Sequence, residues 1–463
     1  MLKNLVGDKA FYKHLLALML PIMIQNGITN FVNMLDNIMI GTVGTAQMTG
    51  VSITNQLFFI FNLCIFGAVS GAGIFGAQYF GKQDYEGVRY TFRFKLLFSG
   101  LLTLMGIVLL TVAGRPLLQL YMQGEQGVTD PAITLSSAET YMRIMLIGFV
   151  PFALVQCYSS TLREGGKPTL PMIAGVVAVL VNLVGNYVLI FGHFGAPTMG
   201  VNGAAVATVI SRFVELGVVV IGTHTNRAGY SYMAGVYRTL YVPGKLASRF
   251  FIKGLPLMLN ETIWALGTAT VNQCYSVRGL DIMAANNINS TFWSVFSIAF
   301  LAVGAAVGIV LGQMLGSNQL KEAKVACYRL MTFSGAVCVV MSVLYVICAP
   351  YIPLAYNTEQ SIRELATQMM IIGAVFMPFD AVTHSAYFAM RSGGKMFTTF
   401  LFDCGTMWCV NVPLAFVLTR YTALPFVAVY AILQAIVVGK SIAGVLLVRS
   451  GFWIRNIVAK PEE

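Results

Sequence analysis

The chain has 463 residues, of which 57% are hydrophobic and only 10% are charged. Soluble domains carry about a quarter charged residues, so this composition excludes a set of soluble domains and indicates one integral membrane protein. The net charge of +11 does not require a nucleic-acid partner, because lysines and arginines in alternate loops orient membrane proteins. The basic start runs into an apolar stretch without a small-residue cleavage site, so we expect no cleaved signal peptide.

Twelve segments are apolar and long enough to cross a bilayer as helices, which takes about 20 residues. An even number of spans puts both ends of the chain on one side. Lysines and arginines concentrate in every second connection, so the positive-inside rule predicts a multi-pass protein of the plasma membrane with both termini cytoplasmic. The predicted spans are 15–39, 52–79, 94–114, 138–162, 169–192, 201–222, 250–276, 284–315, 328–348, 365–390, 398–418 and 424–447.

The sequence also repeats itself, which is typical of secondary transporters. The recurring residues are Pro21, Gln78 and Gly81, which return 235 residues later as Pro256, Gln313 and Gly316, and the run 163–167, which returns 228 residues later as 391–395. We therefore predict an all-α integral membrane fold, with two parallel six-helix repeats around a central cavity. The predicted parts are an N-terminal half (1–222), a cytoplasmic linker (223–249), a C-terminal half (250–447) and a cytoplasmic tail (448–463).

Ionisable side chains inside a bilayer are costly, so each one within a span is a functional candidate. Asp36 lies roughly 30 Å from the cytoplasmic start of the first span, at 1.5 Å per residue. Asn182 and Asn186 share one face of the fifth span at a comparable depth. Carboxylate and amide oxygens suit a proton or a hard monovalent cation; hydrogen bonding between helices is the structural alternative for these side chains.

The second half has its own pair of deep acids. Glu261 in the seventh span and Asp380 in the tenth lie near the midplane, and two carboxylates that met there would favour uptake of a proton or a cation. His384 follows Asp380 by one turn on the same face, as a proton partner or as a packed neutral histidine. Separate hydrogen bonds to neighbouring backbone are the structural alternative for the two acids.

The remaining deep charges receive a structural interpretation. Arg212 and Glu215 are three residues apart on the sixth span, which predicts a self-neutralising pair. Asp403 lies near the cytoplasmic end of the eleventh span and is expected to be less central. Lys440 is close enough to the cytoplasmic end of the last span to extend its ammonium group towards water.

Two prolines occupy matching places in the first and seventh spans. Proline in a spanning helix frees a backbone carbonyl and creates a bend. Pro21 and Pro256 are therefore predicted as hinges that move during transport, with a fixed kink as the alternative.

Other chemistry is not supported. The eight cysteines are scattered without a CxxC motif, so we expect neither a disulfide framework nor a metal site beyond a bound Na+. The two Gly-Gly-Lys turns lack the spacing of a phosphate-binding loop, which argues against nucleotide binding.

These residues resemble the multidrug and toxin extrusion (MATE) transporters over essentially the whole chain. The resemblance rests on Pro21 with the run 33–41, the turn 163–168, Asn182 and Asn186, Pro256 with Glu261, and the turn 391–395. It implies antiport of an organic, often cationic, compound against H+ or Na+, with no other cofactor. The implied cation-coupling residues are Asp36, Asn182 and Asn186 in the first half, and Glu261 and Asp380 in the second. Some members carry an acid where this chain has Asn186. Its absence here argues against a proton switch at that position and favours the second-half acids as coupling residues.

We therefore expect a secondary active multidrug exporter that works by alternating access, and not an enzyme. Its expected partners are small organic substrates and membrane lipid, with no nucleic acid, and it is expected to act as a monomer. A flippase for lipids or lipid-linked oligosaccharides is the nearest alternative, although the deep charges are mostly acidic. A membrane-embedded transferase would need clustered acids for metal and diphosphate, and no DDxxD-like run occurs. A simple channel is the third alternative.

Overall fold

The computed structural model describes residues 6–124, 130–356 and 358–459. The outer residues of the predicted cytoplasmic ends, 1–5 and 460–463, lie outside the described residues. So do the side chains of residues 33, 34, 37 and 38 in the motif of the first span. The described part of the chain is almost entirely helical and contains no strand, which confirms the all-α class.

Fourteen α-helices make up the described chain, some of them joined end to end into one span. They are α1 (Lys9–Gly41), α2 (Thr45–Lys82), α3 (Tyr85–Gly124), α4 (Pro131–Ile147), α5 (Phe149–Glu164), α6 (Thr169–Phe191), α7 (Val201–Thr225), α8 (Gly244–Ser276), α9 (Leu280–Gly316), α10 (Leu320–Cys348), α11 (Gln360–Ser392), α12 (Met396–Phe400), α13 (Val412–Tyr421) and α14 (Phe426–Ser450).

Each of the twelve predicted spans coincides with helix in the described residues. Ten helices there are long and apolar enough to cross a membrane, and α4 with α5 forms an eleventh span bent by 46°. The bend lies at Gly148, and Pro151 has no N–H to donate to the carbonyl of the preceding turn. Helix α8 has the required length but is less apolar, because it carries Asn260 and Glu261. The predicted count of twelve is thus approximately confirmed.

The chain divides into two compact units that are not simple sequence halves. One unit contains residues up to Met23, the segment Ala77–Asp84 and everything from Leu259 onward. The other contains Ile24–Gly76 and Tyr85–Met258. Helix α1 passes between the units two residues after Pro21, and α8 does so two residues after Pro256. The domain boundaries drawn from the sequence repeat stay a prediction.

A close helix crossing explains one of the sequence repeats. A Cβ atom on Gly81 of α2 would overlap the backbone carbonyl of Gln313 in α9, and one on Gly316 would overlap that of Gln78. Only glycine lets two helix backbones approach in this way. The repeated Gln–Gly pairs are therefore the two sides of one reciprocal contact.

The linker and the tail share a short recurring segment. Arg227–Tyr230 recurs 222 residues later as Arg449–Phe452, with glycine and an aromatic residue at its end in both cases. The Lys167 ammonium lies 5.0 Å from the Tyr230 ring centroid, and the Lys395 ammonium lies 5.3 Å from that of Phe452. Each segment thus rests on the Gly-Gly-Lys turn of its own half through a cation–π contact.

The tail has a further anchor on α2. The buried Gln78 side chain donates to the carbonyls of Ser392 at 2.9 Å and Arg455 at 3.1 Å, and it accepts from the Ile457 N–H at 2.8 Å. Trp453 is fully buried and donates to the carbonyl of Val448 at 3.1 Å. This segment is therefore an integral part of its unit.

Candidate functional site

Asp36 of α1 meets both predicted asparagines of α6. The Asn186 amide donates to Asp36 Oδ1 at 2.6 Å. Asn182 lies one turn away on the same face, next to both Asp36 oxygens and to Thr208 of α7. The one-turn spacing of the two asparagines aims both amides at a single carboxylate. The structure thus brings together all three first-half residues that the sequence indicated.

Asn182 satisfies its neighbours with its amide nitrogen towards Asp36. With its nitrogen towards Asp36, the amide donates to both carboxylate oxygens at 3.0 Å, and its oxygen faces Thr208 Oγ1 at 3.1 Å. The Asp36 carboxylate thus accepts from the amides of both asparagines, which is the arrangement expected for an ionised carboxylate.

The donor set around Asp36 fits a monovalent cation. Among the described residues, Asn186 Oδ1 is buried and accepts no hydrogen bond. Such an orphaned acceptor beside a carboxylate is suited to a proton or to Na+, both of which interact with hard oxygen atoms. No group of three or more His, Cys, Asp or Glu side chains in the described residues could hold a metal ion. Asp36, Asn182 and Asn186 would hold Na+, and the ion would supply only charge neutralisation.

Asp36 also opens onto a cavity of about 360 Å³. The cavity combines this one acid with aromatic walls and amides, the combination that binds organic cations. Arg212 reaches the same cavity, but its guanidinium is paired with Glu215 at 3.0 Å, as the sequence predicted. The aromatic lining residues are Phe58, Phe59, Tyr141, Phe149 and Phe152.

The second-half site is arranged differently from the expectation. No hydrogen bond or ion pair joins Glu261 to Asp380 in the described part of the chain. Asp380 lies within electrostatic reach of Lys440, and Glu261 within reach of Arg391 and Asp403. His384 packs against Phe300, with ring centroids 5.0 Å apart, and lies within electrostatic reach of Asp403 and Lys440. The two predicted acids therefore face a common group of charges and do not form a direct pair.

That common group is an ion pair which the sequence interpretation underrated. Lys440 Nζ lies 2.7 Å from Asp403 Oδ1, and the two side chains are 17% and 19% exposed. The expectations that Asp403 is peripheral and that Lys440 extends towards water were wrong in this respect, because each supplies the other's countercharge. Asn260 donates to Asp403 Oδ2 at 3.1 Å and to the Tyr387 hydroxyl at 3.3 Å.

The backbone around Asp403 is unusual. Residues Leu401–Gly405 and Met407–Asn411 form π-helical turns between α12 and α13. Wider turns of this kind are frequent at functional sites, where they rotate side chains out of the regular helical register. Two charged residues of opposite sign in adjacent spans were the available sequence signal; their pairing depends on which helices touch.

Comparison with known proteins identifies the class. The MatE family profile matches residues 21–188 and 256–417, which is more than half of the chain, and the chain belongs to that family. The resemblance to MATE transporters drawn from the sequence motifs is confirmed.

Similar proteins match over nearly their whole lengths. The chain is 25% identical over 455 residues to a probable multidrug resistance protein NorM of Thermotoga maritima, covering 97% of this chain and 95% of that protein. It is 24% identical over 447 residues to multidrug resistance protein NorM of Photobacterium profundum, at 96% and 95% coverage. A solved outward-facing MATE family transporter of the MOP superfamily superposes with a TM-score of 0.85 at 18% identity, covering 97% of this chain and 98% of that one. The fold is thus that of MATE transporters.

Proposed function

We propose that this protein is a secondary active multidrug exporter that exchanges organic, often cationic, compounds for H+ or Na+ by alternating access. The observation that carries the proposal is Asp36, which accepts from the Asn186 amide on one side and opens onto an aromatic cavity on the other. Several similar proteins are named multidrug resistance proteins, which supports the same function. The transported compounds are small organic molecules, and the protein works without an enzymatic step.

Coupling follows from competition for one negative charge. A proton or Na+ at Asp36 neutralises the carboxylate. An organic cation in the adjacent cavity loses its counterion at that moment and is released. The coupling ion and the substrate thus bind with opposite effects on each other, which is the linkage that antiport requires.

The hinge residues convert this local event into movement. Pro21 and Pro256 each precede the place where their helix passes from one compact unit to the other. A helix bends most easily beside a proline, because one backbone hydrogen bond is missing there. We propose that the two units change their arrangement about these points.

The charged residues of the chain also underlie the coupling roles and the membrane orientation that we propose. Glu261 and Asp380 act as coupling residues in the second half, with His384 as a proton partner of Asp380. Both termini and the linker face the cytoplasm, the protein lies in the plasma membrane, and one chain forms the working unit. A lipid flippase is not favoured, since similar proteins are named for multidrug resistance.

Dye efflux from proteoliposomes tests the function. Ethidium-loaded vesicles receive an imposed pH gradient or sodium gradient, one at a time. We expect export under at least one gradient and its loss in Asp36→Asn, which keeps the size of the side chain but removes the charge. Asp281→Asn is the matched control, because Asp281 is exposed at the start of α9. Absence of efflux under both gradients would contradict an exporter and favour the flippase.

A further inference from the structure

The charges of the second-half site do not balance. They comprise three carboxylates and two basic side chains from four helical segments, which lie within electrostatic reach of one another around the Lys440–Asp403 ion pair. Counted by residue type, with His384 taken as neutral, the carboxylates outnumber the basic side chains by one. The members are Glu261 of α8, Asp380, His384 and Arg391 of α11, Asp403 between α12 and α13, and Lys440 of α14.

Lys440 occupies the position that a small cation would take. Its ammonium lies 2.7 Å from Asp403 Oδ1 and rests 5.2 Å from the Phe402 ring centroid. The same carboxylate accepts from Asn260, and Asn260 Oδ1 accepts from the Cys404 thiol at 3.2 Å. The Asp403 carboxylate therefore has one ammonium group and one amide N–H as partners, and the ammonium group is the partner that a monovalent cation could replace.

The pair is enclosed as well as close. Asn260 is 1% exposed, and both charged partners are less than one-fifth exposed. A charge in such surroundings is stabilised only by its counterion and by hydrogen bonds, so Asp403 needs a cation at all times. The π-helical turn that carries Asp403 supplies the orientation that puts this carboxylate opposite α14.

We propose that Lys440 is a tethered countercation that fills a latent monovalent cation site at Asp403 and thereby limits how many exchanged cations the second half binds. With Lys440 in place, Asp403 is satisfied within the protein. Glu261 and Asp380 then provide the single unmatched charge for the exchanged ion. This inference rests on the proposed antiport function, and it makes Lys440 a residue that sets ion stoichiometry without itself binding substrate.

Sodium counting on the purified full chain tests the inference. Radioactive sodium is titrated against protein in nanodiscs, and the number of ions bound per chain is measured. Lys440→Met keeps the length of the side chain but empties the Asp403 site, so we expect one more sodium ion per chain than in the wild type. Lys440→Arg keeps the charge and should give the wild-type number. Asp403→Asn with Lys440→Met removes both partners and should also give that number.

A second variant keeps the test decisive if Lys440→Met does not fold. Asp403→Asn frees the ammonium group to pair with nearby Asp380, so we expect one sodium ion fewer than in the wild type, or none. A folded Lys440→Met protein with the wild-type number of sodium ions would overturn the inference. If the wild type binds sodium, an unchanged number in Asp403→Asn would overturn it as well. Dye efflux by the wild type is scored separately: its absence refutes the exporter, whereas the sodium counts decide the role of Lys440.

Discussion

A buried ion pair in the unit that contains Tyr85–Met258 allows a quantitative prediction about stability. Lys95 of α3 is fully buried, and its ammonium lies 2.6 and 2.8 Å from the two carboxylate oxygens of Glu164. The carboxylate fits against α2 at Gly73, where a Cβ atom would come within 2.6 Å of Glu164 Oε1. We predict that removing either charge alone destabilises the protein strongly, because the other charge then stays buried without its counterion.

The expected loss of stability depends on the hydrogen bonds that remain around the unpaired charge. Breaking a buried pair on one side costs about 3–5 kcal/mol. The orphaned Lys95 keeps hydrogen bonds to Ser160 and Thr161, both at 3.1 Å, and the orphaned Glu164 keeps its bond from Ser160. These contacts favour the lower end, about 3 kcal/mol, or roughly a hundredfold in the unfolding equilibrium constant. Removing both charges should cost no more than about 1 kcal/mol, since no unpaired charge is left.

Unfolding in mixed detergent micelles measures these differences. The variants are Lys95→Met, Glu164→Gln and the double variant, with Lys321→Met as a control because Lys321 is exposed. The reasoning predicts two unstable single variants and a double variant close to the wild type. Single variants that unfold like the control, or a double variant with the sum of both losses, would refute it.

Three further predictions concern the tail, the first-half site and the hinge. Gln78→Ala removes three hydrogen bonds to the backbone, two of them to the tail, at about 1–3 kcal/mol for each buried group. Trypsin should then cut after Arg455 faster than in the wild type, and an equal rate would contradict the anchor. Asn186→Asp puts a second carboxylate beside Asp36, and two adjacent carboxylates retain a shared proton. Efflux driven by a pH gradient should therefore gain over sodium-driven efflux, and an unchanged ratio of the two would count against this site. Pro256→Ala restores a helical hydrogen bond, so transport should slow while the melting temperature holds or rises; undiminished transport would argue for a fixed kink.

The first-half site could be predicted because its geometry is local. Asn182 and Asn186 share a helix face by their spacing alone, and Asp36 is the single acid within the outer part of the first span. Depth along a helix follows from residue number, since the rise per residue is constant. Residues at equal depth on neighbouring spans then have few other partners inside a bilayer.

The second-half site could not be predicted in the same way. Glu261 and Asp380 lie at similar depths, yet no hydrogen bond or ion pair joins them in the described residues. Each faces a charge from another helix, and Asp403 reaches Lys440 through a π-helical turn that sequence periodicity does not reveal. Depth gives one coordinate, whereas contact also depends on helix rotation and on the order of neighbours around each helix.

By itself, the sequence determined the membrane class, the helical spans, the internal repeat and the family. The length of each apolar segment and the free energy of burying its charges depend only on the residues of that segment. These properties can therefore be predicted from the sequence. Only the tertiary structure decided that α1 and α8 change unit beside their prolines, that the Gln–Gly repeats are one reciprocal helix crossing, and that Lys440 neutralises Asp403. Those features depend on contacts between residues far apart in the chain, which become fixed when the helices pack.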